Sequence, residues 1–377
     1  MKLMMVTPYY YPKHGGLEEF ARNLGLALAQ LQHWDVVVVT SNHEGRRTTT
    51  ETLDGMTIHR LGRWFKLSNT PLNPLWPFIM RGLIRREKPD LIIAHTPVPS
   101  LADAVALAAG RTPLIITYHA STLRKGDVPL FNALATLYGW YERLTLGRAL
   151  RIFAVSEYVR TQLPSRFQQK TVVLPNAVWQ REIAPRTSEP KNPNFLFVGS
   201  LERTHAWKGL AQIIDAVAIY KDQHGAGHLT VMGDGSARAA YEAQVEKLGL
   251  QREVTFLGAQ RGEAKDQSYA AASALIVYPT TANDAFPTVM LEAWARGVPV
   301  LAAAIGPIPS LIEDGQTGML IEAQKPEALV AAMHDFVQQT PAARQAMART
   351  AAARTQAAYT WERQATAVAE ITKELLS

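Results

Sequence analysis

Short apolar runs rich in β-branched residues recur along the chain, and they constrain its fold more than any other feature. In the first half they occupy residues 3–7, 36–40, 91–94, 114–117, 152–155 and 172–174. Helix-like segments separate them. Continuous rather than alternating hydrophobicity is typical of strands buried on both faces, as in a parallel sheet flanked by helices.

The same rhythm restarts after a polar, proline-bearing stretch at residues 179–193. The runs of the second half occupy residues 195–198, 229–232, 254–256, 274–278 and 299–302. The sequence therefore predicts an α/β protein with two Rossmann-like parallel-sheet domains, at residues 1–178 and 179–356, facing each other across a cleft. The segment 341–376 is alanine-rich and helical in pattern, with a helix start near Thr360 and Trp361.

Composition and charge restrict the classes of protein to which this chain can belong. The chain has no cysteine, which excludes disulfides, thiolate zinc sites and a cysteine nucleophile. The first apolar run is too short for a signal peptide, and no run approaches the ~18 residues of a membrane span, so we expect a cytoplasmic protein.

Charge is distributed unevenly between the two halves of the chain. Residues 1–178 carry 21 Lys and Arg against 12 Asp and Glu, a net charge of +9. Residues 179–377 carry 18 Lys and Arg against 21 Asp and Glu, a net charge of −3. The basic half indicates an anionic partner, and a chance scatter of surface charge is the alternative.

Two predicted strand-to-helix loops carry groups that can bind phosphate. In the first, Gly15 and Gly16 precede a helix, whose first N–H groups attract anions. The second, at residues 198–209, contains Arg203 and Lys208, which can hold a diphosphate by a planar fork and a point charge. Taken alone, the first could be an ordinary turn and the second a solvated basic loop.

The most informative motif occupies residues 283–300. Asp284 follows a predicted strand, Pro287 fits a first helical turn, Glu292 lies about one turn further on, and Gly297 ends the helix. A carboxylate at the place of Glu292 can accept hydrogen bonds from two vicinal hydroxyls, as a ribose presents them. Together with the basic loop, the motif favours a nucleotide site over a capping acid and a surface glutamate.

The residues of this motif resemble the signature of the retaining GT-B glycosyltransferases of family 4. That signature has two acids separated by seven residues, here Asp284 and Glu292, in a frame that ends in Gly297-Val298-Pro299-Val300. Other pieces stand in the family's order along the whole chain, among them residues 117–119, 155–157, 175–176, 199–209, 233–235 and 254–258. The resemblance implies a GT-B fold, a C-terminal helix at about 357–377 that packs back on the first domain, and closure of the domains around the donor.

The resemblance also implies sugar transfer from a nucleotide-diphosphate donor, with retention at the anomeric carbon and without a metal ion. The donor-binding residues that it implies are Gly15, Gly16, Ser200, Arg203, Lys208, Gly233, Phe256, Leu257, Phe286, Pro287, Thr288, Val289 and Glu292. Among these, Glu292 would bind the ribose and Lys208 the diphosphate, while Phe256 and Leu257 would hold the base. The catalytic residues would be Asp284, which binds sugar hydroxyls, and His119, beside the transferred sugar.

Three residues depart from the family's pattern. Asp284 is one methylene shorter than the usual Glu, and Ser200 stands where many relatives have a phosphate-binding Arg, a role that we transfer to Arg203. Pro287 replaces the commoner Gly and removes one N–H. These departures leave a non-catalytic homologue or partner subunit that binds nucleotide sugar as an alternative.

In the architecture that the resemblance implies, the N-terminal half binds the acceptor and sets its specificity. We assign Tyr9, Arg124 and Lys125 to the acceptor, the last two for a phosphate group. Aromatic and cationic residues mix at 63–66, 75–81 and 85–86, so contact with an anionic membrane surface is one hypothesis, and burial of these aromatics in the core is the other.

The function that we predict is transfer of a hexosyl unit from a UDP- or GDP-sugar to a hydroxyl of a glycan, a lipid-linked or a phosphorylated acceptor, in bacterial-type envelope polysaccharide or glycolipid synthesis. The nucleotide-diphosphate sugar is a co-substrate, and we expect no cofactor, no metal and no nucleic acid. An NAD-dependent oxidoreductase is disfavoured because the Gly233-Asp234-Gly235 segment has Arg238 where the dinucleotide fingerprint needs its third glycine.

Overall fold

The structure is a computed structural model that describes residues 1–377 except 14, 68–69, 120–128, 187, 191 and 226. The chain forms two compact units. The N-terminal unit is Met1–Asn176 with Trp361–Ser377, and the C-terminal unit is Ala177–Thr360. Each unit has a largely parallel sheet with helices, so the predicted α/β class with two Rossmann-like domains is confirmed.

The N-terminal unit has ten described strands. They are β1 (Lys2–Thr7), β2 (Asp35–Ser41), β3 (Thr49–Leu53), β4 (Met56–Leu61), β5 (Phe65–Leu67), β6 (Thr70–Leu72), β7 (Leu91–Thr96), β8 (Leu114–Tyr118), β9 (Arg151–Ala154) and β10 (Thr171–Val173). The main sheet has the order β10-β9-β8-β7-β1-β2-β4-β3, and β5 pairs with β6 in a separate hairpin. β1 lies in the middle, where Leu3 pairs with both Val36 and Leu91, and its apolar side chains are fully buried.

The helices of this unit are α1 (Gly16–Leu31), α2 (Trp76–Glu87), α3 (Leu101–Ala108), α4 (Pro129–Arg148), α5 (Glu157–Gln162) and α6 (Ser165–Gln168). α2 packs against α3, and α3 packs against α4, so these three form one layer.

The C-terminal unit has a six-stranded parallel sheet. Its strands are β11 (Asn194–Val198), β12 (His228–Met232), β13 (Val254–Gly258), β14 (Ala274–Val277), β15 (Val300–Ala303) and β16 (Met319–Ile321), in the order β13-β12-β11-β14-β15-β16. Its helices are α7 (Leu210–His224), α8 (Arg238–Lys247), α9 (Gly262–Ala270), α10 (Thr288–Ala295), α11 (Ile308–Leu311), α12 (Pro326–Gln338) and α13 (Pro341–Ala358). α7 and α12 pack together.

The last helix, α14 (Trp361–Leu376), belongs to the N-terminal unit although it follows the whole C-terminal unit in sequence. It packs against α1, and the ring of Trp361 meets the ring of Phe20 edge-on at 5.3 Å. The buried face of α14 thus completes the core of the first unit.

Each sheet has one point at which the strand order reverses. In the C-terminal unit the chain runs from β11 outward to β13 and then returns to β14 on the other side of β11. In the N-terminal unit β1 and β7 are related in the same way. Loops that leave neighbouring strands in opposite directions open a crevice at the carboxyl edge, which is where open α/β sheets bind ligands.

Several strands of the N-terminal unit were not predicted. β3 pairs antiparallel with β4 through a turn at Asp54 and Gly55, both of which have positive φ, and β3 is largely exposed. The β5–β6 hairpin is also new. These strands lack the continuous apolar runs of the buried parallel strands, because only part of their surface faces the core.

None of the helices described outside the gaps at 14, 68–69, 120–128, 187, 191 and 226 is long and apolar enough to span a membrane.

We predict that Gly209→Ala destabilises the protein by about 2–4 kcal/mol. Gly209 has a φ of 80°, and a Cβ there would overlap the carbonyl oxygen of Tyr278. Gly249 has a similar φ of 65° but open space around it, so Gly249→Ala should cost only about 1 kcal/mol. Urea unfolding measures both, and equal losses would show that the contact with Tyr278 does not matter.

Candidate functional site

The carboxyl edge of the C-terminal sheet gathers the predicted residues of this unit into four neighbouring regions. Ser200, Arg203 and Lys208 follow β11, and Gly233 follows β12. Phe256 and Leu257 lie near the end of β13. The remaining residues follow β14, in the loop and in α10: Asp284, Phe286, Pro287, Thr288, Val289 and Glu292. Because the strands are parallel, one edge of the sheet carries all of them.

A small cavity lies at the reversal between β11 and β14. Its lining comes from both strands, from the loops that follow them and from the starts of α10 and α11: Phe197, Val198, Trp207, Lys208, Val277, Pro279, Asp284, Pro287, Val289 and Ile308. Four of the predicted site residues therefore line one cavity, with the charged pair Lys208 and Asp284 among them.

Lys208 and Asp284 form a loose ion pair in this cavity. The Nζ atom of Lys208 lies 3.7 Å from Oδ2 of Asp284, and the two side chains are 26% and 21% exposed. The other carboxylate oxygen of Asp284 accepts a hydrogen bond from the N–H of Phe286 at 3.1 Å. At 3.7 Å the cation is near its partner without a short hydrogen bond, so an anionic ligand can compete for it.

The start of α10 adds a second source of positive potential. Pro287 is the N-cap residue, and Thr288 and Val289 form the first helical positions. The first N–H groups of a helix have no partner within the helix, and the helix dipole makes this end attractive to anions. Phe286 and Pro287 are buried, so they fix where this end points.

Glu292 lies one turn further along α10 and is held by two donors from α9. One carboxylate oxygen accepts from Nζ of Lys265 and the other from the hydroxyl of Tyr269, both at 2.7 Å. Burial, with the carboxylate of Glu292 beside it, raises the pKa of Tyr269 well above its ordinary value, so the phenol remains a donor. A carboxylate has about four acceptor positions, so each oxygen of Glu292 can still accept a bond from one hydroxyl of a diol.

Gly233 contributes space rather than a side chain. Its φ is 156°, and a Cβ there would overlap the carbonyl oxygen of Gly199. The N–H of Gly199 donates to the carbonyl of Met232, and the N–H of Gly233 to that of Gly258. The glycine thus lets the loops after β11, β12 and β13 approach one another closely.

Ser200 and Arg203 lie at the outer part of the loop after β11. The hydroxyl of Ser200 accepts from the N–H of Glu202 at 3.3 Å and lies 3.0 Å from Nδ1 of His205. The N–H of Arg203 donates to Ser236 Oγ, and its guanidinium side chain is exposed.

Phe256 and Leu257 lie on β13, the edge strand of the sheet. Phe256 is half-buried, and the guanidinium of Arg238 lies 5.9 Å from its ring centre. Leu257 is 38% exposed, which is unusual for a leucine at the end of a buried sheet. Phe256 and Leu257 together present apolar surface beside the guanidinium of Arg238.

In the N-terminal unit, Tyr9, Gly15 and Gly16 lie in the loop after β1 or at the start of α1. Tyr9 is buried, and Nζ of Lys13 lies 3.1 Å from its ring centre. Gly15 is the N-cap of α1, and the carboxylate of Glu18 lies beside it. The carboxylate of Glu18 also lies 3.8 Å from Nζ of Lys13. Arg124 and Lys125 lie outside the described residues.

His119 lies directly after β8 and is paired with His95 at the end of β7. The Nδ1 atom of His95 and the Nε2 atom of His119 are 2.8 Å apart, and both rings pack against Phe20. Burial lowers the pKa of His95 to about 3, and burial with the neighbouring imidazole lowers the pKa of His119 well below its ordinary value. Both rings are therefore neutral at pH 7, and one of them donates its N–H to the other.

Two buried carboxyl groups of the same unit, those of Asp103 and Glu142, lie where α3 and α4 pack together. Asp103 accepts hydrogen bonds from the hydroxyls of Thr145, at 2.6 Å, and Tyr138, at 3.1 Å. Glu142 receives one long contact, 3.4 Å from the hydroxyl of Tyr118, and burial raises its pKa to about 7.

Sequence reasoning missed Lys265, Tyr269 and the pairing of His95. Lys265 and Tyr269 belong to α9 and carry no motif of their own; they reach Glu292 only because α9 and α10 are neighbours in the fold. His95 directly follows the predicted strand at residues 91–94, but an isolated histidine in a sequence indicates no partner. Its buried Nε2 atom has no hydrogen-bond partner among the residues that the structure describes.

Within the described part of the chain, no group of three or more His, Asp or Glu side chains is arranged to hold a metal ion. Metal independence remains a prediction.

We predict that Tyr269→Phe lowers the free energy of unfolding by about 1.5–3 kcal/mol, because it removes a buried hydrogen bond to a carboxylate. Tyr10→Phe is the control: within the described part of the chain its buried hydroxyl has no hydrogen-bond partner, so its removal should cost nothing or stabilise slightly. Urea unfolding at pH 7 tests the pair, and similar effects of the two substitutions would contradict the role of Tyr269.

We predict that Glu142 makes stability fall as pH rises. Its folded pKa of about 7 exceeds the ordinary value of 4.5, so the folded state binds its proton more tightly than the unfolded state does. Relative to Glu142→Gln, the wild type should lose about 3 kcal/mol between pH 4.5 and 7. The exposed Glu370→Gln serves as control, and parallel pH profiles of wild type and Glu142→Gln would refute the prediction.

Comparison with known proteins identifies the family. The family model described as Glycosyltransferase Family 4 matches residues 14–178, and that described as Glycosyl transferases group 1 matches residues 180–354. Among curated proteins, the phosphatidylinositol N-acetylglucosaminyltransferase gpi3 subunit of Schizosaccharomyces pombe is 24% identical over 318 residues, which cover 83% of this chain and 68% of that protein.

Two solved structures show the same fold. Sucrose-phosphate synthase from Thermosynechococcus elongatus has a TM-score of 0.78 at 21% identity, covering 99% of this chain and 98% of that one. Anabaena Alr3699/HepE in complex with UDP and glucose has a TM-score of 0.75 at 20% identity, covering 99% of this chain and 100% of that one. With both halves matched by consecutive family models, and the fold shared over nearly the whole length, the chain belongs to the GT-B glycosyltransferases of family 4.

Proposed function

We propose that this glycosyltransferase is a retaining, metal-independent hexosyltransferase that uses a UDP- or GDP-sugar. The observation that carries the proposal is the convergence of three groups at one edge of the C-terminal sheet. They are the cation of Lys208, the positive end of α10 and the carboxylate of Glu292. This set matches in order the phosphates and ribose of a nucleotide diphosphate.

The diphosphate would lie between Lys208 and the first turn of α10. An incoming phosphate is a stronger partner for Lys208 than Asp284 is at 3.7 Å, since charge-assisted hydrogen bonds to phosphate are short and strong. Release from Lys208 would leave Asp284 available to sugar hydroxyls. Glu292, already oriented by Lys265 and Tyr269, would accept both ribose hydroxyls, and the base would lie against Phe256 and Leu257.

The chemistry would then need little from the protein besides position and charge. The bond between the anomeric carbon and the diphosphate oxygen breaks, and a bond from that carbon to the acceptor oxygen forms on the same face. The acceptor proton passes to the departing phosphate oxygen. Lys208 and the start of α10 would stabilise the negative charge that develops on the diphosphate, which is the main electrostatic contribution.

His119 would contribute a neutral imidazole on the acceptor side. Its pKa is lowered by burial and by His95, so it would act at pH 7 as a hydrogen-bond partner for a sugar hydroxyl and not as a cation. The hydrogen bond between the two rings would fix the orientation of His119.

The acceptor would be a hydroxyl of a glycan, a lipid-linked or a phosphorylated molecule of bacterial-type envelope polysaccharide or glycolipid synthesis. Support comes from the net charge of +9 on residues 1–178 and from the name of the gpi3 relative, which refers to a phosphatidylinositol acceptor. The HepE structure with UDP and glucose supports a nucleotide-sugar donor in the same way. A non-catalytic homologue that binds the donor is the alternative, because Asp284 and Ser200 depart from the family's pattern.

Thermal-shift measurements against UDP, GDP and ADP, with EDTA present, test the donor site. We expect one nucleotide to raise the melting temperature, since a ligand that binds only the folded state stabilises it by mass action. Glu292→Gln should weaken binding of that nucleotide by about 10–100-fold, because it replaces one acceptor oxygen by an NH2 donor and removes the charge from the other acceptor. Turnover of the matching UDP- or GDP-sugar with an acceptor then separates the enzyme from a binding homologue.

Glu246→Gln is the matched control, because Glu246 is an exposed glutamate of α8 away from the cavity. Glu246→Gln should leave unchanged the rise in melting temperature that the nucleotide causes. Nucleotide binding that is equally strong in wild type and Glu292→Gln would refute the proposed site.

A further inference from the structure

The five most exposed large apolar side chains of the described residues all lie on α2, α3 and α4. They are Phe78 at 75%, Leu107 at 65%, Leu137 at 68%, Trp140 at 69% and Leu144 at 68% exposure. Isolated exposed apolar residues are ordinary on a protein surface, whereas their concentration on one layer marks an interaction site.

The three helices are neighbours in the N-terminal unit, since α3 packs against both α2 and α4. On α4 the exposed residues Leu137, Trp140, Tyr141 and Leu144 follow the spacing of one helix face. The opposite face of α4 buries Glu142, Thr145 and Leu146. The helix therefore has a buried inner face and a second, apolar face in solvent.

The exposed charges of this layer are all positive. Arg81, Arg85 and Arg86 on α2 and Arg143 on α4 are exposed. The acids of the same helices are turned inward or paired: Asp103 and Glu142 are buried, and Glu87 binds Lys2 at 3.0 Å. The guanidinium of Arg143 lies 5.2 Å from the ring centre of Trp140, so a cation and an aromatic ring share the outer face.

We propose that the outer face of the α2–α3–α4 layer docks on an anionic lipid bilayer. Leucine, phenylalanine and tryptophan side chains insert at the boundary between headgroups and acyl chains, and arginines beside them bind anionic headgroups. This charge pattern is the reason to choose lipid over a second copy of the chain, in which two such positive faces would meet and repel. The docking face goes beyond the proposed transfer reaction and does not depend on it.

The structure also corrects which residues of the basic segments reach the surface. Trp76 and Met80 are buried, and the indole N–H of Trp76 donates to the carbonyl of Gly62. Of the aromatics at 75–81, Phe78 is the exposed one. Phe65 and Leu67 of the β5–β6 hairpin are each 54% exposed.

Vesicle flotation with the full-length protein tests the proposal. We expect the wild type to float with vesicles of phosphatidylcholine and phosphatidylglycerol at low salt and much less with phosphatidylcholine alone. The triple variant Leu137→Ser/Trp140→Ser/Leu144→Ser should lose about tenfold or more in partitioning. These three side chains are exposed, and circular dichroism with a melting curve checks that the variant is folded. Arg81→Gln/Arg85→Gln/Arg143→Gln should reduce binding to the anionic vesicles and leave the weaker binding to phosphatidylcholine vesicles unchanged.

The matched control is Leu31→Ser/Leu248→Ser/Leu376→Ser, which removes three leucines that are 44%, 39% and 43% exposed outside this layer. It should float like the wild type. The proposal is overturned if the wild type stays unbound to anionic vesicles at low salt, or if the two serine variants bind equally well. Sedimentation without lipid supplies a further check: a wild-type dimer that the α4 variant converts to a monomer would assign the face to self-association.

Discussion

The reversal of strand order between β11 and β14 is the constraint on which the proposed donor site depends. All strands of this sheet are parallel, so every connecting loop after a strand emerges at the same edge, and at the reversal the loops diverge and leave a cavity. The loop after β11 brings Lys208, and the loop after β14 brings Asp284 and the start of α10. Gly233 and Gly235 of the loop after β12, both with positive φ and close to the backbone of residues 199–202, allow this loop to pack against the loop after β11 without side chains between them.

The electrostatics of the site follow from this arrangement. A cation and a helix N-terminus both line the cavity, and Glu292 lies one turn further along the same helix, held by Lys265 and Tyr269. Because Tyr269 is fully buried and its phenol is held neutral, it orients the carboxylate without adding charge. The site therefore offers fixed donors and acceptors before any ligand arrives, which lowers the ordering cost of binding.

The sequence allowed prediction of features set by local pattern. Continuous apolar runs identified the buried parallel strands, and Pro287 and Gly297 marked the ends of α10. Features set by tertiary contact were not predictable. The hydroxyl of Tyr269 donates a hydrogen bond to Glu292 from another helix, and the indole N–H of the buried Trp76 donates to the carbonyl of Gly62. The β3–β4 hairpin did have a local signal, since Asp54-Gly55 is a typical turn for two antiparallel strands, but its strands lack the continuous apolar runs that mark buried strands.

A crystal structure of the protein with the nucleoside diphosphate that binds most tightly tests the central claim most directly. We expect the diphosphate to lie between Lys208 and the first turn of α10. The ribose hydroxyls should donate hydrogen bonds to Glu292, and the base should lie against Phe256 and Leu257. A nucleotide bound away from the β11–β14 cavity, or one whose ribose makes no contact with Glu292, would contradict the central claim.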